Sequence, residues 1–357
     1  MRDQGTCMVT PVSGEADNGP NETGKRKVRD DDSAVHHLLV LLASERAYKV
    51  ETDYLAQGAA ASVTGAISEP WRRKLVEWCF EVADHFGFDR EVVNTAINYL
   101  DRAVCHKTQT SETPVVKRDF QLMAVTSLYI AIKTHGQTES FEGPRRKLKI
   151  DAFVQLSRGV FTVETIEETE RQILTDLKWR MNPPTNLRFI SYLLRLLPRW
   201  SNAGSAKHFA QTKSMIYEVS RYLAELSVCV SHFSFSYNSS TVAYASILCA
   251  MEILQNKSQI PPIPYEARVN FLNTMAETCG IFPESPEVRR CRAALKALCP
   301  EMFESDELPP EFQRADLVED APESEDEPAG GKSSPVCVAD HYSDSPNSRR
   351  KRSRTSA

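Results

Sequence analysis

A chain of 357 residues with 41 % hydrophobic and 25 % charged residues holds enough apolar material for one or two packed cores. A formal charge of −5 is mild and argues against a dedicated nucleic-acid binder, which would be basic. The 14 glycines are too few for many strand-to-helix turns or for a glycine-rich phosphate loop.

Residues 1–32 are polar, contain "GKRKVRDDD", and are expected to form a disordered N-terminal tail. Their first fifteen residues lack the apolar core of a signal peptide, and no apolar stretch in the chain approaches the length of a membrane span. The 9 cysteines are scattered without a C-x-x-C pair, and Cys79, Cys105, Cys229 and Cys249 fall inside helical patterns as small hydrophobes. A reducing, intracellular setting is therefore expected, with no membrane partner.

Between 33 and 69 the spacing predicts an N-terminal helix and linker, with Leu38, Leu41, Leu42 and Tyr48 carrying a helical pattern from Ser33 to Leu55. Next comes "EPWRRKLVEWCFEVADHFGF", in which Trp71, Leu75, Trp78, Val82 and Phe86 recur at steps of three and four. "DREVVNTAINYLDRAV" repeats the pattern, with Asp89 as an expected N-cap. From Phe120 to Ile132 the next helix is apolar nearly all round, so other helices should enclose it. A loop over 135–148 leads to a short helix at "KIDAFVQLS". "TVETIEETERQILTDLKW" gives another, capped by Thr162, before Pro183 and Pro184 stop the pattern.

A second helical set occupies 184–303, after a first set over 70–183. Its helices are read at "LRFISYLLRLL", "AKHFAQTKSMIYEVSRYLAELSV" and "SSTVAYASILCAMEIL", with weaker segments near 264–278 and 286–298. The third is again apolar on nearly all sides, with Ser239 or Ser240 as its cap. Residues 304–357 turn acidic and proline-rich, then basic, and are expected to be a disordered tail. The predicted class is all-α: two tandem multi-helix units with disordered ends.

Catalytic signatures are absent: no G-x-S-x-G, G-x-G-x-x-G or H-E-x-x-H occurs. "GGKSS" at 330–334 imitates the end of a phosphate loop, but Asp326 stands where its first glycine belongs. The 8 histidines show no metal-ligand spacing, so neither a metal nor a cofactor is expected. One residue stands out. Lys133 ends the enclosed apolar run, where a charge is costly to desolvate. Either its stem covers apolar surface while the ammonium reaches water, or the cation serves a contact.

"WRRKLVEW", "NTAINYLDR", "FQLMAVTSLYIAIK" and "IEETERQILTDLKWRMNPPT", in this order over about 70–190, resemble the cyclin box. "LLASERAYKVETDYL" is similar to the segment that precedes the box in D-type cyclins. The resemblance implies two tandem five-helix cyclin folds and a regulatory subunit, itself not an enzyme, that binds and activates a cyclin-dependent Ser/Thr kinase in cell-cycle control. It gives Lys133 and Glu170 the role of kinase contacts. It further implies a groove for substrates or inhibitors bearing a basic-x-leucine motif, at Trp71, Leu75, Trp78, Lys117 and Gln121. This chain departs from the family pattern there: Trp71 replaces a common methionine and Lys74 a common aliphatic. Thr134, His135 and Gly136 stand where the family has acidic residues after the lysine. The competing expectations are a cyclin-fold transcription factor, which would carry a zinc ribbon that Cys7 alone cannot form, and a kinase-independent scaffold.

Both ends carry basic clusters that an import receptor would read: Lys25, Arg26 and Lys27, and Arg349, Arg350, Lys351 and Arg352. Nuclear residence, with shuttling to the cytoplasm, is the expectation. Ser334 and Ser345 each precede proline and are candidate phosphosites.

Overall fold

Helices make up every regular element among the described residues, which in this computed structural model are 22–60, 66–111, 115–136, 148–200, 206–255, 257, 260–309 and 312. The first unit contains α3 (Glu69–Phe86), α4 (Glu91–Thr110), α5 (Lys117–His135), α6 (Ile150–Leu156) and α7 (Val163–Asp176), preceded by α1 (Glu22–Glu45) and α2 (Tyr54–Ala60). The second contains α8 (Asn186–Leu193), α9 (Ala206–Val228), α10 (Ser231–Ser236), α11 (Ser239–Gln255), α12 (Tyr265–Cys279), α13 (Pro286–Leu298) and α14 (Pro300–Glu304). Each unit thus has five principal helices, and the second adds the short α10 and α14, which were not expected.

The enclosed helices are where the apolar pattern put them. α5 is buried almost continuously from Phe120 to Ile132 and packs against α3, α4, α6 and α7. α11 is buried from Ser240 to Leu254, save Glu252, among α8, α9, α13 and α14. Local signals set several helix ends. Gly87 closes α3 in the left-handed region at φ 69°, with the N–H of Phe88 donating to the Ala83 carbonyl at 2.9 Å. Asp89 caps the start of α4, its Oδ1 accepting from the N–H of Glu91 at 2.8 Å. Thr162 and Thr165 exchange side-chain and backbone bonds in a capping box on α7. Replacing Thr162 with alanine is expected to cost about 1 kcal/mol, read as a lower urea midpoint.

Three expected boundaries differ. α1 begins at Glu22, eleven residues before Ser33, so it takes in part of the stretch assigned to disorder. Polar composition does not separate coil from exposed helix, and nothing between 22 and 45 is a proline that would stop a helix nucleated further on. The helical pattern read through to Leu55 is interrupted: a 3-10 turn at Arg46–Tyr48 and extended backbone follow α1, and α2 starts afresh at Tyr54. Asp53 forces the restart, since its Oδ1 accepts from the N–H groups of Leu55 and Ala56, each at 3.0 Å. The C-terminal boundary at 303 also moves outward. Leu308 and Phe312 are buried in the second core, and the Phe312 ring meets that of Tyr222 edge-on at 5.5 Å. Lys257 secures the same stretch by donating to the Met302 carbonyl at 3.1 Å and to that of Ser305. Two apolar anchors in an acidic, proline-rich window are averaged away by composition. Residues 1–21 and 313–357 lie outside the described residues.

The cap of α11 was expected from Ser239 or Ser240. It comes instead from Glu45 at the end of α1: its carboxylate accepts from the Ser240 N–H at 3.1 Å and the Ser240 hydroxyl at 2.7 Å. Burial pushes the Glu45 carboxyl above the usual carboxylate range, against the lowering effect of those two bonds.

Candidate functional site

α5 and α7 lie side by side, and the packing of Ile166 and Ile173 beneath them fixes which of their polar side chains meet. Lys133, in the last turn of α5, donates to Oε1 of Glu170 on α7 at 3.0 Å. The Lys133 side chain is 54 % exposed and that of Glu170 14 %, so the cation projects from the surface while the carboxylate is sunk into it. The ammonium also sits 5.4 Å from the Tyr129 ring centroid. The Glu170 hydrogen bond raises the Lys133 pKa, outweighing partial desolvation, so the charge is secure at neutral pH. Beside the pair opens a cleft of about 930 Å³ whose apolar lining includes Ile132, Leu148 and Ile150. Together these side chains present a fixed cation and anion at the edge of an apolar recess.

The platform under them is tied down. His135 Nε2 lies 2.8 Å from the Met181 carbonyl and 3.1 Å from the Tyr99 hydroxyl, which itself donates to Met181. Burial pushes the Tyr99 phenol up to about 12. The chain leaves α7 through two consecutive non-glycine residues in the left-handed region, Lys178 at φ 51° and Trp179 at φ 57°. Such conformations cost of order 1–3 kcal/mol each. Here they accompany a tryptophan that is 72 % exposed, at the end of the helix that carries Glu170. Trp179 is a contact candidate that the sequence reading passed over, because an apolar residue at a helix end reads as core.

The expected docking groove has a different form. Leu75 and Trp78 have no exposed area, Gln121 is 1 % exposed and Trp71 8 %. Trp71, Leu75 and Trp78 are part of the first core and Gln121 is buried beside them in α5; of the five, Lys117 reaches the surface, its ammonium 5.5 Å from the Trp71 ring centroid. The structure therefore brings Lys117 onto Trp71 and covers the other four side chains.

Between the units lies an arrangement that sequence reading missed. Arg72, fully buried, donates through Nε to Oδ1 of Asp101 at 3.1 Å and through Nη2 to Oδ2 at 2.7 Å. The same guanidinium reaches the second unit, donating to the Val228 carbonyl at 3.1 Å and to Ser234 Oγ at 3.2 Å. The Tyr54 hydroxyl from α2 donates to Asp101 Oδ1 at 2.7 Å. Burial alone would lower the Arg72 pKa, but Asp101 more than reverses it and holds the guanidinium charged. A signal existed: Arg72 shares a helical stripe with Val76, Cys79 and Ala83, and Asp101 one with Ile97 and Val104. Charges of opposite sign on two apolar stripes invite pairing. Arg90 adds a second bridge between the units, pairing with Asp84 at 2.7 Å and Glu225 at 2.6 Å.

Among the described residues no three His, Cys, Asp or Glu side chains are grouped to hold a metal, and no helix is long and apolar enough to cross a membrane. Lys25, Arg26 and Lys27 fall in the first turns of α1, whereas Arg349, Arg350, Lys351, Arg352, Ser334 and Ser345 lie outside the described residues.

Residues 38–182 match the family model described as the cyclin N-terminal domain. The chain is 32 % identical over 124 residues to Cyclin-D3-3 of Arabidopsis thaliana, a match covering 35 % of this chain and 32 % of that protein. It is 27 % identical over 212 residues to Cyclin-D3-1 of the same plant, covering 58 % and 50 %. G1/S-specific cyclin-E of Caenorhabditis briggsae is 26 % identical over 219 residues, covering 59 % and 39 %. These matches span about a third to a half of the relatives' own lengths. The matched segment runs from the end of α1 through the Lys133–Glu170 pair to the linker after α7, and over it the chain is similar to the cyclin N-terminal domain.

Proposed function

We propose that this chain is the regulatory subunit of a cyclin-dependent Ser/Thr kinase and activates that kinase in cell-cycle control. The observation that carries the reading is the surface pair of Lys133 and Glu170, 3.0 Å apart beside an apolar cleft in a segment similar to the cyclin N-terminal domain. An exposed ion pair contributes little to folding, so stability does not account for holding it there. A cation and an anion at one fixed spacing bind the carbonyls and amides of a helix end with charge assistance, and the cleft takes an apolar side chain from the same helix. A kinase helix must move inward for its glutamate to meet the lysine that holds ATP. A subunit that binds only the inward state shifts the kinase population toward activity. Trp179 extends the same contact as an exposed aromatic anchor.

Docking of basic-x-leucine motifs forms no part of this reading, since four of the five side chains expected to receive them, Trp71, Leu75, Trp78 and Gln121, are buried. The direct test is reconstitution of the full chain with individual cyclin-dependent kinases, measuring complex formation and peptide phosphorylation. The reading requires that at least one kinase binds and gains activity; failure with all of them refutes it.

We also propose nuclear residence, on the strength of the two basic clusters. Neutralising Arg349–Arg352 together with Lys25–Lys27 is expected to abolish nuclear accumulation of a fluorescent fusion, and Ser345→Asp to reduce it. Unchanged accumulation in the neutralised protein would assign import to the kinase partner.

A further inference from the structure

On the flank of the second unit, where the 3-10 turn after α8 meets the start of α9, lies a groove of about 900 Å³ that the kinase reading does not use. Its floor is aromatic: the Trp200 and Phe209 rings meet edge-on at 4.8 Å. Its walls are cationic. The Arg199 guanidinium lies 6.0 Å and the Lys213 ammonium 5.9 Å from the Phe209 centroid, and Arg195 lines the same groove. No carboxylate is among the described residues that line it. Arg195 and Arg199 place like charges beside one apolar floor, and an acidic segment would offset their mutual repulsion.

We propose that this groove is the docking site of the chain's own acidic segment, residues 316–327. Charge matches: "DLVEDAPESEDE" holds seven carboxylates and no cation. Position matches as well. The last described residue, Phe312, is anchored on Tyr222, and Tyr222 belongs to α9, the helix that supplies Phe209 and Lys213. Tyr222 and Lys213 are nine residues apart, which is ~13.5 Å along the axis and half a turn around it, or ~22 Å over the helix surface. Residues 313–319, extended at ~3.3 Å each, span ~23 Å, so Glu319 and all that follow can reach. Because the segment is tethered a few residues away, its effective concentration at the groove is of millimolar order, well above that of a free acidic peptide.

The test uses the full chain. Equal amounts of ¹⁴N- and ¹⁵N-labelled protein are treated with a zero-length carbodiimide cross-linker, and Lys213 links are read by mass spectrometry. The expected product joins Lys213 to a carboxylate within 316–327 of the same isotopic chain, and falls at least tenfold in an Arg195→Glu/Arg199→Glu variant whose circular dichroism is unchanged. A fluorescent peptide of residues 313–328 should bind at least tenfold more tightly to a chain whose seven carboxylates are converted to amides than to the unmodified chain. Links only between isotopes would assign the groove to a second copy and overturn the proposal. So would equal peptide binding to both chains, or binding that the Arg195→Glu/Arg199→Glu change does not affect, which would leave the groove to an outside partner or to none.

Discussion

Replacing Arg72 with alanine is expected to lower the unfolding free energy by about 3–5 kcal/mol, read as a large fall in the urea midpoint. The change leaves the Asp101 carboxylate buried with only the Tyr54 hydroxyl as a described side-chain partner. It also removes the donors that the Val228 carbonyl and Ser234 receive from the first unit, so the loss falls on the joint between units as well as on one core. Burying a charge without its counter-ion is the costly part, not the forfeited attraction. The double variant Arg72→Met/Asp101→Leu should accordingly recover much of the loss, because it buries no charge. A single Arg72→Ala change costing under about 1 kcal/mol would show that the pair is not a structural joint.

The second large effect concerns binding. Lys133→Ala and Glu170→Ala are each expected to weaken kinase association by about 2 kcal/mol, or roughly thirtyfold, as for a charged contact desolvated at the centre of an interface. Folding should change by less than about 1 kcal/mol, since the Lys133 side chain is more than half exposed in the free chain. The double variant should lose less than the sum of the two, because each removal strips the other of its partner. Calorimetric titration with the kinase identified by reconstitution separates these outcomes. Normal affinity in both single variants would remove the pair from the interface while leaving kinase binding itself to be explained by Trp179 and the apolar cleft.

The helical class, the order of the principal helices and the two enclosed helices were legible in the amino-acid sequence. Periodicity at steps of three and four reports which face of a helix meets apolar neighbours, and α5 and α11 lack a polar face. Local stops were legible for the same reason: Gly87, Asp89 and Thr162 act on backbone groups within a few residues of themselves. Lys133 was marked by being a cation at the end of a buried run, while Glu170 emerged only through the family resemblance.

The rest depended on contacts between residues far apart in the chain. Glu45 caps a helix that begins 194 positions later in the sequence. Arg72 meets Asp101 and then Val228 and Ser234, Leu308 and Phe312 find the second core, and Leu75 and Trp78 are covered rather than displayed. Periodicity assigns a side chain to the inner or outer face of its own helix, but it carries no information about which distant group stands opposite. Only the tertiary structure decides that, because hydrogen bonds and ion pairs form within about 3 Å of space, whatever the separation along the chain.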